Sequence, residues 1–167
     1  VMKAGRMTVR VDLKDFKITY EADGKVLTNI GFRNLGYMQY DRAVLTKFPE
    51  PNYMAAQYQP YMVTELSLDP GECVYGLGER FTAFVKNGQV VDIWNEDGGT
   101  ASQISYKNIP FYVTSKHYGV FVDHSDNVSF EVASEKVENV GFSVKGEEIR
   151  YHVIYGDDIK GVMETYT

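Results

Sequence analysis

Alternation of apolar and polar side chains with a period of two recurs along most of the chain, and this feature most narrows what these 167 residues can become. Successive side chains of a strand point to opposite faces, so the pattern builds half-buried strands and does not suit one face of a helix. Met7 to Leu13 carries Val9, Val11 and Leu13 on one face, and Phe16, Ile18 and Tyr20 repeat the period after a short break. Asp23-Gly24 then supplies residues that tolerate the positive φ of a tight turn, and Val26 to Ile30 returns the chain as the second arm of a hairpin. The 13 Tyr and 9 Phe, many set among Val, Ile and Thr, reinforce the strand signal.

Regularity lapses from Asn34 to Pro60, where Phe48-Pro49-Glu50-Pro51 and the stretch Asn52 to Tyr61 break the alternation, and a loop region is expected there. Tyr61 to Leu68 alternates again and stops at Asp69-Pro70-Gly71. Cys73 to Leu77 and Val90 to Trp94 follow as short strand candidates, and the polar segment Asn95 to Lys107 is the longest candidate functional loop. Phe111 to Ser115, Tyr118 to His124, Val128 to Ala133, Lys136 to Val144 and Glu148 to Tyr155 then succeed one another through short turns, which predicts a meander. Only Asp157 to Thr167 changes period, with Ile159, Val162, Met163 and Tyr166 at helical spacing behind an aspartate N-cap. Many short strands and one late helix predict an all-β fold of two antiparallel sheets packed face to face, with a closed barrel as the alternative. Residues 1–156 are expected to form this sandwich, and 157–167 to begin a helix or linker into a further domain.

Composition limits the function. Apolar residues make up 44% and charged residues 24%, which supports one hydrophobic core and excludes a disordered chain. The 17 basic residues are scattered among 23 acidic ones, for a net charge of −6, so neither nucleic acid nor a membrane surface is an expected partner. Cys73 alone makes no intramolecular disulfide, and no membrane span or signal-like apolar opening is visible, so a cytoplasmic location is expected.

Signals for chemistry are sparse. His117, His124 and His152 are dispersed, with no CxxC or HxxxH spacing for a metal. Cys73 beside a strand start reads as a small hydrophobe, and Asn127-Val128-Ser129 as a chance sequon inside a strand. Gly76-Leu77-Gly78 lacks the further glycine or Gly-Lys-Ser/Thr that a phosphate cradle needs. Glu96 and Asp97 beside Trp94 come closest to a sugar site, because an indole face stacks on a pyranose while carboxylates accept its hydroxyls; a solvated acidic loop is the plainer reading.

Val74-Tyr75-Gly76-Leu77-Gly78-Glu79-Arg80-Phe81-Thr82 resembles the start of the most characteristic region in the N-terminal domain of family 31 glycoside hydrolases, the α-glucosidase and α-xylosidase family. Trp94-Asn95-Glu96-Asp97-Gly98-Gly99, Tyr106-Lys107-Asn108-Ile109-Pro110-Phe111-Tyr112 and Tyr118-Gly119-Val120-Phe121-Val122-Asp123-His124 follow in the family's order and approximate spacing, and are most similar to the bacterial α-xylosidase branch. Phe16 to Leu27 is similar to the family's early hairpin, and Asp157 to Thr167 to the helix that hands over to its barrel.

The resemblance implies a galactose mutarotase-like β-sandwich at the head of a retaining α-glycosidase whose two catalytic aspartates lie on a downstream (β/α)8 barrel. The family's nucleophile motif, Asp-hydrophobic-Gly/Asn-Glu, is not found in these residues, so no catalytic residue is assigned and the isolated chain is expected to be inactive. It implies too that Asp97, on a loop reaching over the barrel mouth, contacts the bound sugar. Trp94 stands with it as the second substrate-binding position, and Arg80 and Glu96 support the loop or the barrel interface. Gly76 and Gly78 read as turn or close-approach positions. No cofactor or metal is implied. The expected partners are an α-linked xyloside or glucoside in the parent enzyme, the barrel itself and, through the face a barrel would cover, a second copy of the chain. Two other readings stay open: a freestanding carbohydrate-binding module stacking a glycan on Trp94 and tyrosines, and a mutarotase-type epimerase with a histidine and a carboxylate converging on one sheet.

Overall fold

The structure, a computed structural model, describes residues 1–41, 58–96 and 105–167. Its strands are β1 (Met2–Ala4), β2 (Met7–Asp12), β3 (Lys17–Ala22), β4 (Lys25–Ile30), β5 (Leu35–Asp41), β6 (Tyr58–Ser67), β7 (Val74–Gly76), β8 (Gln89–Ile93), β9 (Phe111–Thr114), β10 (Tyr118–Val122), β11 (Val128–Val132), β12 (Asn139–Lys145) and β13 (Tyr151–Tyr155), followed by helix α1 (Ile159–Tyr166). They pair antiparallel into an N-terminal sheet β1-β2-β3-β4, a broad sheet β5-β6-β12-β11-β8 and a helix-bearing sheet β13-β10-β9-β7.

The broad and helix-bearing sheets face each other across one core, as alternation requires. Phe130 and Phe142 of the broad sheet meet Tyr112 and Tyr151 opposite, with ring centroids 6.1 Å and 5.5 Å apart, edge to face. Val128, Val132, Val140 and Val144 on one side and Val120 and Val122 on the other are fully buried. Each such side chain contributes about 1.5–3 kcal/mol by leaving water, so these period-two positions hold the layers together. Ala22, Leu27 and Ile30 of the N-terminal sheet join the same core, and the Tyr20 and Tyr151 hydroxyls share a hydrogen bond of 2.6 Å. The expected all-β antiparallel sandwich is what forms, with the first four strands as a third sheet.

On the outer face of the helix-bearing sheet, Phe111, Val113, Phe121 and Ile154 receive Val162 and Tyr166 of α1, and the Phe111 and Tyr166 rings stack in parallel at 4.1 Å. A helix this short does not persist alone, so packing and the cap sustain it. The cap is Asp158, whose carboxylate accepts the Gly161 N–H at 2.7 Å.

Three expectations need correction. The loop region expected from Asn34 to Pro60 contains β5 and the start of β6, paired from Leu35 opposite Thr64 to Asp41 opposite Tyr58, while residues 42–57 lie outside the described residues. The last five strands do not form a meander: β11 and β12 join the broad sheet, and β13 returns beside β10. Splitting these hairpins between the layers lets their apolar faces bury one another. Val11 and Leu13 keep the predicted period but are both exposed, whereas Val9 on the same face is half-buried.

Candidate functional site

The segment from β7 to β9 leaves the helix-bearing sheet, contributes β8 to the broad sheet and returns, so it bridges both layers at one edge. Its first turn is backbone-driven. Gly76, Leu77 and Gly78 all have positive φ, at +104°, +65° and +86°. A Cβ on Gly78 would fall 2.1 Å from the Lys107 carbonyl oxygen, so only glycine lets residues 78 and 107–109 approach this closely. The Leu77 N–H donates to Phe111 O and the Glu79 N–H to Lys107 O, both at 2.9 Å. Gly76 and Gly78 are thus close-approach positions, as the sequence suggested.

Arg80 crosses this narrow gap. Its guanidinium donates to Leu77 O at 3.1 Å, to Asp92 O at 2.7 Å and to the Asn108 side-chain oxygen. Burial is the main influence on Arg80 and pulls its pKa below the ordinary arginine value, with Asp92 acting in the opposite sense. Asn108 passes the connection on: its amide donates to Trp94 O at 2.7 Å and Ser105 O at 2.6 Å, and its backbone N–H to Asn95 Oδ1 at 3.0 Å. The Glu96 N–H donates to Ser105 O at 2.9 Å, and Ser105 Oγ to Glu79 O at 2.6 Å. Trp94 to Glu96, just past β8, and Ser105 to Asn108, ahead of β9, are thereby clamped together as a stem, with Asn95 and Ser105 forming an isolated bridge. Glu79 and Lys107 pair beside it at 3.1 Å.

Lys86 secures the preceding turn. It is buried, and its ammonium donates to Thr82 Oγ1 at 3.1 Å and Ala83 O at 2.7 Å. Burial first and the Arg80 charge second lower its pKa. These are positioning interactions that hold a loop in place and carry no bond chemistry of their own.

Of the sequence-predicted site residues, Trp94 stands at the end of β8 with its side chain 54% exposed, and Glu96 is exposed beside it. Asp97 lies outside the described residues. Arg80 proves to be the central brace. Asn95, Ser105 and Asn108 were not singled out from the sequence, although each stands in or beside a motif block that was; their role depends on contacts across 13 to 28 residues of chain.

The remaining candidates have structural surroundings. Cys73 contacts Gly71 O at 3.7 Å. His117 occupies a tight turn with φ of +62°, and His152 stacks on Phe121 with Asp123 at 3.9 Å. No histidine belongs to a strand of the broad sheet. Among the described residues no three His, Cys, Asp or Glu side chains are grouped to hold a metal ion.

Comparison with known proteins fits this geometry. Residues 1–131 match the family described as the glycosyl hydrolase 31 N-terminal galactose mutarotase-like domain. The chain is 44% identical to α-xylosidase XylQ of Lactiplantibacillus pentosus over 167 residues, covering 99% of this chain and 20% of that protein. It is likewise 44% identical to an α-xylosidase of Emericella nidulans, covering 98% of this chain and 22% of the relative. The chain thus spans about a fifth of the length of these curated relatives. In fold it is similar to the Flavobacterium johnsoniae GH31 dextranase FjDex31A complexed with glucose, with a TM-score of 0.77 at 22% identity over 98% of this chain and 18% of that one. On the match across most of its length, this chain belongs to the glycosyl hydrolase 31 N-terminal galactose mutarotase-like domain family.

Proposed function

We propose that the chain is the N-terminal sandwich of a retaining α-glycosidase, an α-xylosidase, that it packs on a catalytic barrel, and that its loop over residues 97–104 contacts the substrate in that barrel. The observation that carries the reading is identity of 44% to two α-xylosidases over essentially the whole chain, loop stem included. The stem supports it physically: Arg80 and Asn108 hold the flanks of residues 97–104 together, and fixing the ends of a segment reduces the entropy lost when it engages a ligand. In this reading Asp97 accepts two sugar hydroxyls and Trp94 flanks the same sugar, while bond cleavage belongs to aspartates of the barrel.

The barrel's docking face is the outer side of the helix-bearing sheet. Phe84 is 80% exposed and its ring lies 5.3 Å from that of Tyr75, which belongs to the apolar cluster under α1; Ile159 and Met163 of α1 are exposed as well. Surface of this kind is normally covered. The isolated chain therefore self-associates in proportion to concentration, and Phe84→Ser reduces that in light scattering.

The direct test is catalytic. The isolated chain releases no nitrophenol from p-nitrophenyl α-xyloside, whereas a longer protein carrying this chain ahead of its barrel does so with retention at the anomeric carbon. Asp97→Ala in that longer protein lowers kcat/KM about tenfold or more, the loss expected when charge-assisted hydrogen bonds to substrate are removed. Enzyme-like turnover by the isolated chain, with contaminants excluded, would defeat the proposal.

A further inference from the structure

The outer face of the broad sheet carries a cleft of about 520 Å³ that the preceding reading does not use. Its floor follows from the strand register. Asp92 pairs with Ser129, Ser129 with Ser143 and Ser143 with Val63, so one outward row crosses β8, β11, β12 and β6 with small hydroxyl side chains at its centre. The wall comes from the next outward level, where Trp94 just past β8, Asn127, Lys145 and Tyr61 follow one another in register, with Lys145 paired to Tyr61. This row of larger side chains beside a row of small ones makes a trough running across the strands. From β8 to β6 it crosses three strand spacings, about 14 Å, the reach of a short oligosaccharide.

We infer that this trough is a binding site for a neutral oligosaccharide. The chemistry selects that class. An indole and a phenol line the cleft, and aromatic rings suit the apolar faces of pyranoses, while Ser129 and Ser143 both donate and accept, Asp92 accepts and Lys145 donates, the mixture a polyhydroxylated ligand needs. The volume lies within the range of small-ligand sites. Anionic ligands are disfavoured, because Asp92 and Asp126 share the cleft, Asp126 lies 3.5 Å from Lys145 and offsets its charge, and the chain carries a net charge of −6. A polypeptide strand would add to a sheet edge, whereas the trough lies on a sheet face. The inference holds whether or not a barrel adjoins the chain, and it shares only Trp94 with the substrate-contact reading.

The experiment is an NMR titration of the 167-residue chain, labelled with nitrogen-15, with maltotriose and isoprimeverose. Saturable shifts are expected at the amides of Asp92, Ser129 and Ser143. Trp94→Ala and Tyr61→Ala should each weaken binding about tenfold, Ser129→Arg should abolish it by filling the floor, and Tyr106→Ala outside the trough should change nothing. Unaltered spectral dispersion in each variant establishes that it folds, and the wild-type shift map locates the site without any variant. Absence of saturable shifts with both sugars overturns the inference. So do shifts confined to residues 105–110 that respond to Trp94→Ala but not to Tyr61→Ala or Ser129→Arg, which would put the sugar at the loop stem.

Discussion

The helix-bearing sheet and the N-terminal sheet are built from similar alternating sequences, yet they stand in opposite relations to solvent. In β9, Phe111, Tyr112, Val113 and Thr114 are all buried, because the broad sheet covers one side and α1 the other. In the N-terminal sheet β1 is exposed throughout, β2 is exposed from Arg10 to Asp12, and Leu13 beyond it is 86% exposed. That sheet is attached along one side, by Ala22, Leu27 and Ile30 in the core and by polar ties. Lys116 Nζ donates to Val26 O and Leu27 O at 3.0 Å and 2.8 Å, and the Thr28 hydroxyl donates to Ser67 O at 2.8 Å. The segment from β7 to β9, which carries the Arg80 and Asn108 clamp, springs from the doubly covered sheet and returns to it. Precision at a site depends on the rigidity of its support, so both ends of this segment are anchored in the layer covered on two sides, while the N-terminal sheet is a lateral brace.

The contrast predicts unequal costs of substitution. Tyr112→Ala or Phe130→Ala, each emptying the space between the covered layers, should lose about 3–5 kcal/mol in denaturant unfolding. Leu13→Ser should stay within about 0.5 kcal/mol of the parent, since that residue is 86% exposed, and Val11→Ser, at 38% exposure, should cost more than that but well below Phe130→Ala. A Val11→Ser loss as large as that of Phe130→Ala would erase the distinction between the sheets.

Glycines sharpen the same comparison. Gly5, in the β1-β2 turn, has φ of +57° with nothing within 4 Å of an added Cβ, whereas Gly78 combines φ of +86° with the Lys107 carbonyl at 2.1 Å. Gly78→Ala should therefore cost about 2–3 kcal/mol, against about 1 kcal/mol of left-handed strain for Gly5→Ala. Equal melting shifts for the two would mean that the loop stem yields as readily as a free turn.

Asn108→Ala comes next, at about 1–2 kcal/mol for the hydrogen bonds it removes. Amide exchange should speed up around Trp94 to Glu96 and Ser105 and stay unchanged in β2 and β3. Acceleration spread over all three sheets would show that Asn108 supports the whole fold and not the stem.

The period of two made the buried halves of β3, β4, β6, β9, β10, β11, β12 and β13 legible, because one face of each had to meet the core. β5 escaped notice because, among the described residues, it is an edge strand paired only with β6, with a glycine and with tyrosines on both faces, so no burial imposes a clean alternation. The false meander has a different cause: local pattern identifies a strand, whereas the choice of sheet is settled by which inward faces meet across the core. At the site, Trp94 and Arg80 were visible as motif residues. The clamp through Asn108 was not, since Arg80 and Asn108 meet only after β8 has crossed to the other layer. The trough was hidden in plain view, because Asp92, Ser129 and Ser143 are unremarkable outward positions until the register sets them side by side.

The smallest expected effect tests the weak attachment of the N-terminal sheet. Arg6 donates to Asp23 and to Asp157, the latter at 2.6 Å, and lies over the Tyr155 ring at 5.0 Å, tying the β3-β4 turn to the chain just before α1. The hydrogen bond from Arg6 is the main reason the Asp23 carboxyl titrates below its ordinary value of 3.8. A folded-state pKa depressed in this way adds stability in full above the unfolded-chain value, and that stability is lost as the pH falls through the lower folded value. Acidification below about pH 4 should therefore lower amide protection factors, taken against the intrinsic exchange rate at each pH, in β1 and β2 before it does so in β9 and β10. Asp23→Asn should remove that acid step and leave exchange in the helix-bearing sheet unchanged. The pair is exposed, so the effect is small and should shrink further in 1 M salt, where the screening length is about 3 Å. Simultaneous loss of protection in all three sheets would mean that the N-terminal sheet is held as firmly as the helix-bearing one.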